Sequence, residues 1–308
     1  MSPRPKKAQG FQRNRPAGKR SISSRRREGD VGRPRRNTEL QESRRTERDS
    51  RRHLGGEQVE GRRAVIELLS ARRRHVGQVW IADSVEPSSE IDRITRLASA
   101  SGVRVQIVGS RKLDAEARTR SHQGVLAKAA PLTEFDLAEL CSPLDQKTPF
   151  LLVLDGITDP QNVGALLRTA ECAGVTGVVL ARHGAAHITP ATTKSAAGAV
   201  EYLRIAVVAG IPSAIARITD AGLHCIGLDA DASLSLFCDE PPWRDAGEGV
   251  ALVLGDEGKG LGNLTKKRCT TLVSIPQVGA IDSLNVSAAG AIASFEVARS
   301  MGTERNMS

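Results

Sequence analysis

Ser283 and Asn285 stand two residues apart at the end of the loop Ile275–Ser287 (IPQVGAIDSLNVS), directly ahead of a small-residue run, AAGAIASFEVARS. A hydroxyl and a carboxamide at the start of a helix can bind a ligand's polar groups, and they are also the commonest residues to cap that helix. The apolar stretch Thr271 to Ile275 stops at Pro276, which lacks an N–H, and Gly279 allows a tight turn before an amphipathic pattern of Leu284, Ala288, Ile292, Phe295 and Ala298. Two other stretches carry isolated polar groups. Arg168 interrupts the apolar run Ala165, Leu166, Leu167, Ala170, and Asn162 lies six residues before it, too far round a straight helix for both to point one way. Arg168 reads either as a functional cation or as a surface arginine whose stem snorkels along apolar neighbours. Glu257 sits in Val253-Leu-Gly-Asp-Glu-Gly-Lys-Gly-Leu-Gly262, which has neither the P-loop nor the dinucleotide-binding glycine order. Its glycines suit the close approach of backbone amides to a bulky neutral or cationic ligand.

The elements that position these groups follow from the pattern. From Phe150 the chain alternates strands and helices, the mark of a mostly parallel sheet covered on both faces. Strands are expected at Phe150–Asp155, Gly177–Ala181, Leu203–Val208, His224–Leu228, Val250–Leu254 and Thr271–Ile275. Sites in such sheets lie at the carboxyl ends of strands, where all three stretches fall. Asp159 and Pro160 are placed to start a helix before Asn162.

Asn162-Val-Gly-Ala-Leu-Leu-Arg168, Leu254-Gly-Asp-Glu-Gly-Lys-Gly-Leu261 and Ile275–Ser287, taken in order, resemble the three motifs of the SpoU (TrmH) group of SPOUT RNA methyltransferases. That resemblance implies an α/β catalytic domain with a deep trefoil knot and a homodimer. It implies transfer of a methyl group from S-adenosyl-L-methionine to a ribose 2′-hydroxyl, with no metal. By the same resemblance Arg168 engages the hydroxyl across the dimer interface, with Asn162, Glu257, Ser283 and Asn285 completing the catalytic set. Gly255, Ile275 and Leu284 would contact the cofactor, chiefly through backbone, and Asp256 is given no role. An arginine keeps its proton, so orienting or polarising the hydroxyl suits Arg168 better than general-base work. Glu257 is the obvious acidic neighbour for a sulfonium. Thr193–Glu201 also resembles a family segment near the site, and reads equally as a packing helix.

Ahead of this, Glu57 to Ala130 reads as a small α/β unit: helices at Gly61–Leu69 and Ser88–Ser101, strands at Gln78–Ala82 and Val103–Val108. Glu60-Gly-Arg-Arg-Ala-Val65 and Ser121-His-Gln-Gly-Val125 resemble the ribosomal-protein-like substrate-binding domain of the RlmB-type members, whose target is a guanosine of large-subunit ribosomal RNA. His122 and Gln123 read equally as a structural turn. A proline-marked linker, 131–149, joins this unit to the methyltransferase domain, 150–308. Residues 57–130 carry 13 basic and 9 acidic side chains, whereas 131–308 carry 13 and 20, so an RNA-facing surface is expected around Arg62, Arg63, Arg72, Arg73 and Arg74. Residues 1–56 hold 18 Lys+Arg against 6 Asp+Glu and few large apolar residues, the composition of a disordered basic arm.

Five cysteines without a CxxC pair argue against a disulfide framework or zinc ribbon and for a reducing cytosol. His183 and His187, separated by Gly184, make a poor metal pair, and neither a membrane span nor a secretory signal is expected. By the resemblance, the expected function is RNA 2′-O-methylation. A transfer RNA target, or a non-enzymatic RNA-binding or ribosome-assembly factor on the same fold, is the competing reading. The arm would bind phosphates without sequence preference. Deleting residues 1–56 is thus expected to weaken RNA binding and flatten its salt dependence, and an unchanged slope of log Kd against log salt would refute that role.

Overall fold

The computed structural model describes residues 54–182, 188–280 and 283–302. The basic arm up to His53, His183, His187, Ile281 and Asp282 lie outside the described residues. The chain forms two sheets. The first has strand order β1-β4-β2-β3, with β1 (Gln58–Glu60) and β2 (Val76–Ala82) antiparallel to β4 (Val125–Ala129), and β3 (Arg104–Val108) parallel to β2. Val59, Val79, Ile81, Val125 and Ala127 bury one face against α1 (Arg62–Ala71) and α2 (Ser89–Ala100). The short helix α3 (Ser110–Glu116) packs Leu113 against Trp80 and Val108 of the other face. Strands β1 and β4 and helix α3 are not among the elements expected from the sequence; β1 spans only three residues, and VLAKA of β4 alternates too weakly to stand out from its flanks. Ser88 caps α2 through its hydroxyl.

After α4 (Leu137–Leu140), the second sheet contains β5 (Phe150–Asp155), β6 (Gly177–Ala181), β7 (Ile205–Val208), β8 (His224–Leu228), β9 (Leu234–Ser235), β10 (Val250–Gly255) and β11 (Thr271–Ser274). They pair in the order β7-β6-β5-β10-β8-β11-β9, and every pairing is parallel. Strands buried on both faces read as continuous apolar runs, as FLLVLD of β5 and VALVLG of β10 do. Leu152, Leu154, Leu252 and Leu254 face one core, and Leu151, Val153, Ala251 and Val253 face the other. The helices are α5 (Pro160–Cys172), α6 (Pro190–Ser195), α7 (Ile211–Asp220), α8 (Asn263–Arg268) and α9 (Val286–Ser300). No described helix is long and apolar enough to cross a membrane.

Helix α9 lies against α5 with its small residues inward. A Cβ at Gly290 would come within 2.3 Å of Leu166 Cδ2 and 2.7 Å of Leu254 Cδ1, so the helix axis approaches more closely than larger side chains permit. Gly290, Ala293, Ser294, Val297 and Ala298 are buried, while Leu284, Ile292 and Phe295 remain exposed. Of the amphipathic pattern read in the sequence, Leu284, Ala288, Ile292 and Phe295 are thus exposed and only Ala298 is buried. The far end of α9 is held by Trp243, whose Nε1 donates to Ser300 Oγ at 2.9 Å.

A buried ion pair joins the region of the first sheet to that of the second. Arg74 Nη2 lies 2.5 Å from Glu201 Oε1, with the two side chains 6% and 1% exposed. Arg74 also donates to the carbonyls of Gly56 and Ala130, and Arg73 donates to the carbonyl of Glu201 at 3.2 Å. Arg73 and Arg204 both lie over the Phe135 ring, at 6.0 and 5.2 Å from its centroid. Beside this, Tyr202 donates to Glu67 at 2.7 Å, and burial followed by that carboxylate pushes the phenol up to about 12. Arg74 is therefore an internal strut, which corrects the expectation that it faces RNA. Sequence shows a run of three arginines but not which one turns inward.

Removing one partner of a buried pair leaves the other charge uncompensated, which costs about 3–5 kcal/mol. Glu201→Ala is accordingly expected to lower the unfolding free energy by about 3 kcal/mol or more in urea titrations. A loss below about 1 kcal/mol would show that solvent reaches Arg74.

Candidate active site

The site is assembled where β5, β10, β8 and β11 end. Asp159 caps α5 by accepting the amides of Gln161 (3.1 Å) and Asn162 (3.4 Å), and Pro160 supplies a helical φ at the first position. This places Asn162, almost fully buried, above the end of β10. Its Nδ2 donates to Glu257 Oε2 at 3.1 Å, and its Oδ1 accepts from Asn285 Nδ2 at 3.1 Å. Asn285 Nδ2 also contacts Glu257 Oε1, and the amide of Val286 donates to that oxygen at 3.4 Å. Asn285 meanwhile caps α9, its Oδ1 accepting the amides of Ser287 (2.9 Å) and Ala288 (3.4 Å). The helix cap and the polar site, alternatives in the sequence, are one residue doing both.

The loop that carries Glu257 is pinned at each end. At its start, a Cβ on Gly255 would fall 2.2 Å from the carbonyl carbon of Gly260, so only glycine lets the loop fold back across β10. Asp256 Oδ1 accepts the amides of Gly258 (2.9 Å) and Lys259 (3.2 Å), and the Gly260 amide donates to the Asp256 carbonyl. Asp256, passed over in the sequence, shapes this turn. At its far end, α8 is tied to the strand ends: Thr265 Oγ1 donates to Asp155 Oδ2 (2.6 Å), and Lys266 Nζ lies 2.7 Å from Asp229 Oδ2.

Between these loops is a pocket lined by Leu228, Leu254, Ile275 and Leu284, with Asp229, Asp256, Glu257, Gln277 and Ser283 as polar groups. Gly255 also lines it, so the expected cofactor set of Gly255, Ile275 and Leu284 meets in one cavity. Glu257 is not its sole carboxylate, since Asp229 at the end of β8 lines it too. Ser283 has no hydrogen-bond partner among the described residues and faces the pocket. A ligand with a flat apolar portion, polar hydroxyls and a cationic centre fits this combination.

Arg168 is exposed, on a different side of α5 from Asn162, and has no hydrogen-bond or ion-pair partner among the described residues. Six residues is roughly one and two-thirds helical turns, which accounts for the separation. Arg168 therefore does not join the network of its own chain. Of the other expected RNA contacts, Arg63 and Arg72 are exposed, and Arg62 reaches Glu90 (3.5 Å) and takes Gln123 Oε1 on its amide. His122 Nδ1 accepts the Gly124 amide, and its Nε2 lies 3.1 Å from Asp114, so His122 and Gln123 serve the turn. The 193–201 segment packs: a Cβ on Gly164 would meet Ser195 Cβ at 2.4 Å. Burial raises the Cys225 and Cys269 thiols to about 11 and about 12, which keeps them protonated and unreactive. Among the described residues, no group of three or more His, Cys, Asp or Glu side chains could hold a metal ion.

Known proteins resemble this chain over most of its length. The profile of the SpoU rRNA Methylase family matches residues 149–295, and that of RNA 2′-O ribose methyltransferase substrate binding matches 58–135. The 23S rRNA (guanosine-2′-O-)-methyltransferase RlmB of Shewanella oneidensis is 35% identical over 242 residues, covering 78% of this chain and 95% of that protein. The RlmB of Escherichia coli K12 is 34% identical over 246 residues, covering 79% and 98%. Among solved structures, an RNA 2′-O ribose methyltransferase superposes with TM-score 0.65 at 24% identity, covering 84% of this chain and 93% of that one. The SpoU methyltransferase AviRb of Streptomyces viridochromogenes, in complex with the cofactor AdoMet, does so with TM-score 0.64 at 21% identity, covering 80% and 91%. These two show the shared α/β fold. From the matched profiles and the near full-length relatives, this chain belongs to the SpoU rRNA Methylase family.

Proposed function

We propose that this protein is an S-adenosyl-L-methionine-dependent methyltransferase acting on a ribose 2′-hydroxyl, with a guanosine of 23S ribosomal RNA as its target. The observation that carries the reading is the Asn162–Glu257–Asn285 network, in which the three motif stretches meet beside a pocket suited to the cofactor. The target follows from the two relatives named for that reaction, which match over nearly their whole length. Bound in the pocket, S-adenosylmethionine would supply a methyl group already activated by a sulfonium. What remains for the protein is to place the hydroxyl in line and manage its proton.

Glu257 is ill suited to take that proton, because both its oxygens already accept N–H groups. It holds the loops instead. Ser283 Oγ, unpartnered among the described residues, would accept a hydrogen bond from the ribose hydroxyl and relay its proton outward. Arg168 would stabilise the negative charge developing on the oxygen. Since Arg168 points away from the network of its own chain, its site is the partner's in a homodimer. The exposed apolar side chains Leu284, Ile292 and Phe295, on and beside the helix packed against α5, supply a surface for that contact. The loop from Ile275 to Ser287 would thread the trefoil knot of the family, and the close approach at Gly290 suits such a passage.

The division into a basic arm (1–56), an RNA-binding unit (57–130) with Arg62, Arg63, Arg72 and Arg73 facing substrate, a linker (131–149) and a catalytic unit (150–308) belongs to the same proposal. So does a cytoplasmic location, where the cysteines remain free thiols.

Transfer of isotopic label from S-adenosylmethionine to unmodified 23S and transfer RNA, mapped by mass spectrometry, tests the reaction and target together. Label on one 23S guanosine ribose is expected, and none on either RNA would overturn the reading. Arg168→Ala and Ser283→Ala are each expected to lower kcat by about 10²-fold or more. Co-expressed, they should recover about a quarter of wild-type activity, because half of a random population of dimers is mixed and each mixed dimer keeps one intact site. No recovery would place Arg168 in its own chain's site.

A further inference from the structure

Three carboxylates line the pocket, and two of them shape or hold the loop that carries them. Asp256 accepts two amides of its own turn, and Glu257 accepts from Asn162, Asn285 and Val286. Asp229 is different. Its backbone is fixed to the neighbouring strand, the amide donating to Val273 at 2.9 Å, while its carbonyl accepts from Ala232. Its Oδ2 lies 2.7 Å from Lys266 Nζ, and its Oδ1 receives only a long bond, 3.4 Å, from the amide of Asp231. An ionised carboxylate offers about four acceptor positions, so Asp229, which lines the pocket, retains acceptor capacity.

Position and charge together select what that capacity suits. Strand β8 lies beyond β10 from β5, and α5, which carries Asn162, follows β5. At about 4.8 Å per strand, Asp229 is roughly 10 Å across the sheet from the strand that leads to Asn162 and its bond to Glu257. Lys266 neutralises Asp229, so the pair has little net attraction for the cofactor's ammonium or sulfonium. Its remaining lone pairs still accept hydrogen bonds from neutral hydroxyls. An acidic side chain holding a ribose hydroxyl near a strand end is also the solution used by dinucleotide-binding sheets.

We propose that Asp229 binds the cofactor's ribose hydroxyls and that Lys266 is its positioning residue, an assignment that rests on the S-adenosylmethionine reading above. No step of the methyl transfer passes through either side chain. They set affinity and select a ribonucleoside ligand over its deoxy counterparts.

The test is calorimetric binding by the full-length protein of S-adenosylhomocysteine, which is not turned over, and of its 2′-deoxy and 3′-deoxy forms. Wild type is expected to lose roughly 10- to 100-fold in affinity when the bonded hydroxyl is removed. Asp229→Ala should bind S-adenosylhomocysteine weaker by a similar factor and no longer distinguish the deoxy forms, and Asp229→Asn should fall between. Lys266→Met should raise the preference for cationic S-adenosylmethionine over S-adenosylhomocysteine, because Asp229 is then uncompensated; a purely structural lysine would leave that ratio unchanged. If wild type binds all three ligands equally, the assignment is overturned, and this comparison needs no variant to fold. It is equally overturned if Asp229→Ala still discriminates as wild type does. Failure of wild type to bind S-adenosylhomocysteine at all would instead overturn the cofactor reading beneath it.

Discussion

The arrangement of this site depends on one carboxylate accepting hydrogen bonds from two segments far apart in sequence. Glu257 takes an amide hydrogen from Asn162 at the start of α5 and others from Asn285 and Val286 at the start of α9. Bonds to a charged acceptor are stronger than neutral ones, and each donor here belongs to a side chain or backbone already fixed by a helix start. Asp159 orients the first turn of α5, and Asn285 caps α9 with the same carboxamide that meets Glu257. Three loops at the ends of parallel strands thereby become one rigid wall. The pocket beside it is shaped by contacts that serve structure first.

The same economy is visible in helix α9. Its small residues are buried so that Gly290 can pass close to Leu166 and Leu254, and its bulkier Ile292 and Phe295 are left outside. These exposed side chains are the surface on which the proposed partner contact rests. The pairing of Arg74 with Glu201 sets a second constraint, because it ties the first sheet's region to the segment following α6.

Much of this was legible in the sequence, for identifiable reasons. The parallel sheet was visible because strands buried on both faces are continuous apolar runs, as in Phe150–Asp155 and Val250–Gly255. Asn162, Glu257, Ser283 and Asn285 stood out as polar groups at strand ends. The orientation of α9 was not legible, since hydrophobic periodicity marks two faces and favours the one with larger side chains, whereas here close packing favoured the smaller. Nor could the inward turn of Arg74 be told from Arg72 and Arg73, since its partner Glu201 lies 127 positions away. Asp229 was findable, standing immediately after β8 at the carboxyl edge of the sheet, but the glycine-rich stretch nearby drew attention to Glu257 alone.

The Glu257 carboxylate holds the α9 loop to the α5 start. Amide hydrogen exchange in Glu257→Gln tests it most directly, because glutamine keeps the size of the side chain but sets an amide group against those of Asn162 and Asn285. The amides of Val286, Ser287 and Ala288 are expected to exchange at least about tenfold faster than in wild type, while those of β5 and β10 keep their protection. Unchanged protection at the start of α9 would mean that the three motifs are held together by the apolar core alone and not by Glu257.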